Sequence, residues 1–182
     1  QNNYQYGNVT LVEEWADGVK LRATVTEYFP NVTAHIVSLP ARVRVQDAAG
    51  TCASEVRRVY DRYVYTGNDF RTAPLLGLLT EQVTALKSCS EAGLIPSNSL
   101  DWQVTHYAYD AYGNLTVEHQ LPDSKGAGER KTETLYDGVY HLFPVTRRDF
   151  YDHDFTETAS YYGVNAVSSG EWKGWGDAWH YW

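Results

Sequence analysis

Methionine is absent from this 182-residue chain, cysteine occurs twice and proline six times. The missing methionine and the opening Gln1 lead us to expect a piece of a longer protein. Two cysteines are too few for a disulfide framework, and no further Cys or His lies close enough in sequence to complete a zinc site. Two alternatives remain for Cys52 and Cys89: one bridge in an oxidising compartment, or a pair of buried thiols. Basic residues are also scarce. The 15 Lys and Arg against 23 Asp and Glu give a net charge of −8, and no basic run exceeds pairs such as Arg57-Arg58 and Arg147-Arg148. Phosphate backbones are repelled by such a chain, so no nucleic-acid partner is expected. Nothing approaches the roughly 20 apolar residues of a membrane helix. The opening QNNYQYGNVT has neither the basic nor the apolar region of a signal peptide, so a soluble, non-spanning chain is expected.

Catalytic motifs are missing as well. The sequence holds no nucleophile elbow, phosphate loop, zinc-protease motif or dinucleotide fingerprint. The glycines of Gly170-Glu171-Trp172-Lys173-Gly174-Trp175-Gly176-Asp177 follow no βα unit and so do not form a phosphate cradle. The six histidines are scattered, none at metal-ligand spacing from another. The expectation is a chain without cofactor, metal or catalysis of its own.

What the chain does have is aromatic and β-branched surface. Its 15 Tyr, 6 Trp and 5 Phe, with frequent Val and Thr, fit pleated, half-buried strands. The length permits one core. A repeat runs through it. Tyr6-Gly7-Asn8-Val9-Thr10 returns as Tyr112-Gly113-Asn114-Leu115-Thr116. A Thr-rich strand ending in Tyr follows each copy: Thr24-Val25-Thr26-Glu27-Tyr28, then Thr132-Glu133-Thr134-Leu135-Tyr136. Next comes a hydrophobic residue before proline and an alternating run: Leu39-Pro40-Ala41-Arg42-Val43-Arg44-Val45, then Phe143-Pro144-Val145-Thr146-Arg147-Arg148. Three features in one order predict two copies of a β-unit, over about 4–48 and 107–152, within a single segment spanning 1–182.

Related material lies between the copies, in Val59-Tyr60-Asp61-Arg62-Tyr63-Val64-Tyr65 and His106-Tyr107-Ala108-Tyr109-Asp110. Tyrosines two apart share one face of a strand, and the Gly, Asn and Asp that follow suit a tight reversal. Strands are also predicted at Ala41–Val45, Trp102–Tyr109 and Thr158–Tyr162, with an exposed hairpin loop over Pro122–Gly128. From Pro74 to Ala92 the apolar spacing fits helix or strand, and Gly77 with its β surroundings favours strand.

Tyr109-Asp110-Ala111-Tyr112-Gly113-Asn114-Leu115-Thr116 resembles the signature of YD repeats, and Leu135-Tyr136-Asp137-Gly138 resembles a second. Val59-Tyr60-Asp61 and Phe150-Tyr151-Asp152 are degenerate versions without Gly at the usual distance. The set resembles Rhs-type proteins and the shell-forming B and C components of insecticidal toxin complexes, and more distantly teneurins. This resemblance implies an all-β fold of antiparallel hairpin repeats in a continuing sheet that encloses a toxin or effector. It also implies secretion or cell-surface display, with neighbouring repeats and an enclosed cargo as partners. The self-cleaving terminal region of the family is not matched by any residues here.

Three constellations compete with the scaffold reading. Asp149-Phe150-Tyr151-Asp152-His153-Asp154 would place Asp152 and Asp154 on one strand face, an arrangement fit for a cation or an acid and base pair. A solvated turn explains it more simply. Trp172, Trp175, Trp179 and Trp182 crowd the last 11 residues. They form either a docking surface for a neighbouring repeat or a platform for sugar rings, which gives an adhesive, carbohydrate-binding module as the alternative function. Asn8-Val9-Thr10, Asn31-Val32-Thr33 and Asn114-Leu115-Thr116 match the glycosylation acceptor pattern, although two of them coincide with the turn of the repeat.

Overall fold

The structure is a computed structural model that describes residues 3–62, 69–86, 89, 102–122, 128–150, 155–161 and 180–181. Among these residues it is all-β: strands follow one another in chain order, antiparallel throughout. They fall into two compact units, residues 1–106 with 121–127, and residues 107–120 with 128–182. No helix among the described residues is long and apolar enough to cross a membrane.

The first unit contains β1 (Asn3–Gln5), β2 (Asn8–Ala16), β3 (Val19–Tyr28), β4 (Pro40–Asp47), β5 (Cys52–Tyr60), β6 (Leu79–Ala85) and the start of β7 (Trp102–Tyr109). Two-residue turns join the first three strands. At Asp17-Gly18 both residues have positive φ, 49° and 74°, the mirror-image turn whose twist matches that of flanking strands. The second unit holds the end of β7, then β8 (Leu115–Gln120), β9 (Arg130–Tyr136), β10 (Pro144–Asp149), β11 (Phe155–Ser160) and β12 (His180–Tyr181). The strand predicted at Trp102–Tyr109 is β7, and the two Thr-rich runs end β3 and β9 at Tyr28 and Tyr136. The strand expected from Pro74 to Ala92 is realised over Leu79–Ala85, because Pro74–Leu78 belongs to a loop. Most of the expected Pro122–Gly128 loop lies outside the described residues.

Apolar burial in the first unit is modest. Val83, Trp102 and Val104 form one cluster, and Ala41, Val59 and Phe70 another. The two fully buried valines contribute about 1.5–3 kcal/mol each. Between these clusters the same sheet face carries charge, since Arg44 pairs with Glu55 across β4 and β5, and Arg57 with Val83 across β5 and β6. Glu55 is 0% exposed. Arg44 Nε donates to one of its oxygens at 2.9 Å, and Arg57 Nε to the other at 2.5 Å. The Arg57 guanidinium lies 5.0 Å from the ring centres of both Phe70 and Trp102. Phe70, on a 3₁₀ turn at Asp69–Arg71, also receives Arg42 and Arg71 at 5.7 and 5.2 Å. Arg42 is paired in turn with Glu27. A desolvated cation on an aromatic face is worth roughly 2 kcal/mol, so the buried Arg57 acts as a core residue, whereas Arg71 is exposed.

Removing the shared carboxylate would strand two buried cations. Glu55→Gln is therefore expected to destabilise the first unit by about 3–5 kcal/mol, measured by urea denaturation. A loss under about 1 kcal/mol would mean that the triad is solvated rather than buried.

Candidate functional site

The residues that recur in the sequence also recur in the hydrogen bonding. Four described tyrosines close hairpins by donating a side-chain O–H to a carbonyl at the start of the preceding strand. Tyr28 reaches Val9 at 3.2 Å and Tyr60 reaches Pro40 at 3.1 Å. Tyr136 reaches Leu115 at 3.3 Å and Tyr161 reaches Pro144 at 2.8 Å. The acceptors are thus the residue after Asn8 or Asn114 and the two prolines of the repeated segments. Three of these tyrosines share a second feature. Opposite each, the register slips by one residue: Tyr28 faces Pro40, Tyr60 faces Leu79 and Tyr136 faces Pro144, which leaves Ala41, Thr80 and Val145 as the extra residues. Bulges of this kind bend a strand and re-aim its side chains.

The aspartate after the tyrosine organises the loop that follows. Asp61 N–H donates to Leu78 O at 2.8 Å, while its carboxylate accepts from the backbone N–H groups of Leu75, Leu76, Gly77 and Leu78 at 2.6–2.9 Å. Asp137 N–H donates to Phe143 O, and its carboxylate accepts from Val139, Tyr140, Leu142 and Phe143 at 2.5–3.0 Å. Asp110 does the same on a shorter turn, with Tyr112 N–H, Asn114 N–H and the Asn114 side-chain amide. Asp47, the last residue of β4, accepts from Ala49 and Thr51.

Val59-Tyr60-Asp61 lacks the expected glycine, yet it builds the same clasp. The glycine is Gly77, at φ 87°, where an added Cβ would lie 3.1 Å from Leu39 Cδ1. A long loop thus hid an ordinary member of the set.

These carboxylates are anions fixed by donors. Burial raises the Asp137 pKa, but four backbone N–H bonds outweigh it and hold the carboxyl well below its ordinary value. Asp61 is lowered by the same balance of burial against backbone bonds. At Asp110 desolvation is outweighed by Asn114, the Tyr112 amide and the nearby His141. Groups so occupied are poor proton acceptors, and chemically the set holds loops.

Cys52 and Cys89 form a disulfide with a Cα separation of 5.6 Å. A Glu55 oxygen lies within 4.8 Å of both sulfurs. The trio makes no metal centre, because the sulfurs are spent on each other and the carboxylate on two arginines. The strand-sharing pair Asp152 and Asp154, with His153, lies outside the described residues, as do Trp172, Trp175, Trp179 and Trp182. Asp149 of that cluster is described, and its Oδ2 pairs with Arg130 at 3.3 Å. Sequence reasoning missed the clasps and the Glu55 triad. The signals were present as Tyr-Asp pairs at strand ends, and as charges two apart in Arg42, Arg44, Glu55 and Arg57.

No protein-family model and no curated protein matches the chain.

Two outcomes are expected from this geometry. Tyr60→Phe, which deletes one latch, costs about 1 kcal/mol by denaturant titration, and an unchanged midpoint would remove the latch. The carboxylates favour the folded state fully above the unfolded-chain pKa of about 3.9, and less as pH falls below it toward their lowered folded values. In melts from pH 7 to 2, Asp137→Asn should start below the unmodified chain and close the gap only under about pH 4. A gap that persists unchanged into strong acid contradicts the clasp.

Proposed function

We propose that this chain is a structural segment of a YD-repeat, Rhs-type protein, one stretch of a wall that encloses a toxin or effector and performs no catalysis itself. The observation that carries this reading is the recurrence of one closing device. A tyrosine ends the strand and latches the previous one, and after two of these tyrosines, Tyr60 and Tyr136, an aspartate directly gathers the next loop, as Asp110 does after Tyr109. Such a device spends its polar groups on holding hairpins in sequence. Hairpins are marginal alone and gain stability from neighbours, which suits a strip built by repetition.

The disulfide between Cys52 and Cys89 supports a secreted or cell-surface setting, where such bonds persist. On this reading the partners are neighbouring repeats of the same protein and the cargo they surround.

The coding sequence on either side of this segment should contain many more Tyr-Asp hairpins. Electron microscopy of the whole gene product should reveal a hollow, β-walled particle whose contents resist protease until the wall is opened. A solid particle with equally accessible parts, from a gene with no further Tyr-Asp hairpins, would sink the proposal.

A further inference from the structure

The three Asn-x-Thr segments match the glycosylation acceptor pattern, yet all three amides are engaged in hydrogen bonds to other loops. Asn8 Nδ2 donates to Val37 O at 2.7 Å, Asn31 Nδ2 to Pro74 O at 2.9 Å and Asn114 Nδ2 to His141 O at 2.6 Å. The direction is the same each time. Asn8 opens β2 directly after the β1–β2 turn and reaches the β3–β4 connection. Asn31 lies in that second connection and reaches the β5–β6 loop. Asn114 lies in the β7–β8 turn and reaches the β9–β10 loop. Each amide thus ties one loop to the next at the same end of its own unit.

We propose that Asn8, Asn31 and Asn114 are forward locks between successive loops, and that a carbohydrate on Asn114 is incompatible with the folded turn. Asn114 is the decisive case because Nδ2 makes two donations, to His141 O and to Asp110 Oδ2 at 2.9 Å. An amide nitrogen has only two hydrogens to give. N-glycosylation by a lipid-linked oligosaccharide forms a bond from Nδ2 to the sugar C1, expels the pyrophosphate carrier and releases one Nδ2 proton. One of the two bonds must then break, leaving either the Asp110 clasp or the loop beyond it without its donor. Asn31 adds a second tie, since its Oδ1 accepts from Ala34 N–H at 3.0 Å while Nδ2 holds the buried Pro74.

The test has two arms on the full chain. In a eukaryotic secretory host, peptide mass spectrometry should find Asn114 unmodified in the native, disulfide-linked secreted fraction, with sugar at that site confined to retained, misfolded chains. Native secreted protein that carries a glycan on Asn114 and melts at the unmodified temperature overturns the proposal. In bacterially made protein, Asn31→Asp should lower Tm by roughly 2–4 °C and admit protease into the loop around Pro74. Thr33→Ala destroys the same acceptor pattern but keeps the amide, so it should change neither. Equal behaviour of the two variants also overturns it.

Discussion

Every strand reversal leaves backbone N–H groups that must find an acceptor or bear a desolvation cost. In this chain a carboxylate placed at the strand end supplies that acceptor for two or four of them at once. The rest follows from that placement. With the loop gathered onto Asp61 or Asp137, the next strand starts opposite the tyrosine, and the register is set where the hairpin begins. The tyrosine then latches backward and, at three connections, an asparagine latches forward, so the β2–β3, β4–β5 and β8–β9 hairpins are held from both sides.

The first unit complements this hydrogen bonding with an unusual interior. Small valine-containing clusters alternate with a Glu55 carboxylate shared by Arg44 and Arg57 and with aromatic rings that cover the Arg57 guanidinium. Buried ion pairs add little net stability compared with a hydrophobic substitute, but they penalise misalignment severely. A one-residue slip of β5 against β4 would turn Glu55 and Arg57 together toward the opposite face and leave the buried Arg44 without its carboxylate. The polar interior therefore acts mainly on pairing specificity, alongside the clasps.

The hairpin architecture was legible because period-two tyrosines and Gly-Asn turns mark strand ends directly. Tyr28, Tyr109 and Tyr136 all sit where the spacing put them. The clasp at Asp61 was harder to see, since its glycine lies far along the loop and sequence spacing measures chain distance rather than spatial distance. Burial of Glu55 and Arg57 escaped notice for another reason. Charges are ordinarily solvated, and only the cross-strand register reveals that these neutralise one another. The Asn-x-Thr segments pointed to surface chemistry, whereas their side chains turn inward to neighbouring loops.

The four carboxylate clasps span chain separations of 4, 4, 6 and 17 residues, yet each closes on the same pair of bonds, the Asp N–H to the far carbonyl and the far N–H to the carboxylate. Loop length is thereby uncoupled from sheet geometry: what must be preserved is the pair of endpoints, while the intervening chain is free to grow. A protein built this way can acquire insertions at one rim and keep its strands in step, so kinship among such segments lies in their junctions and not in any fixed period.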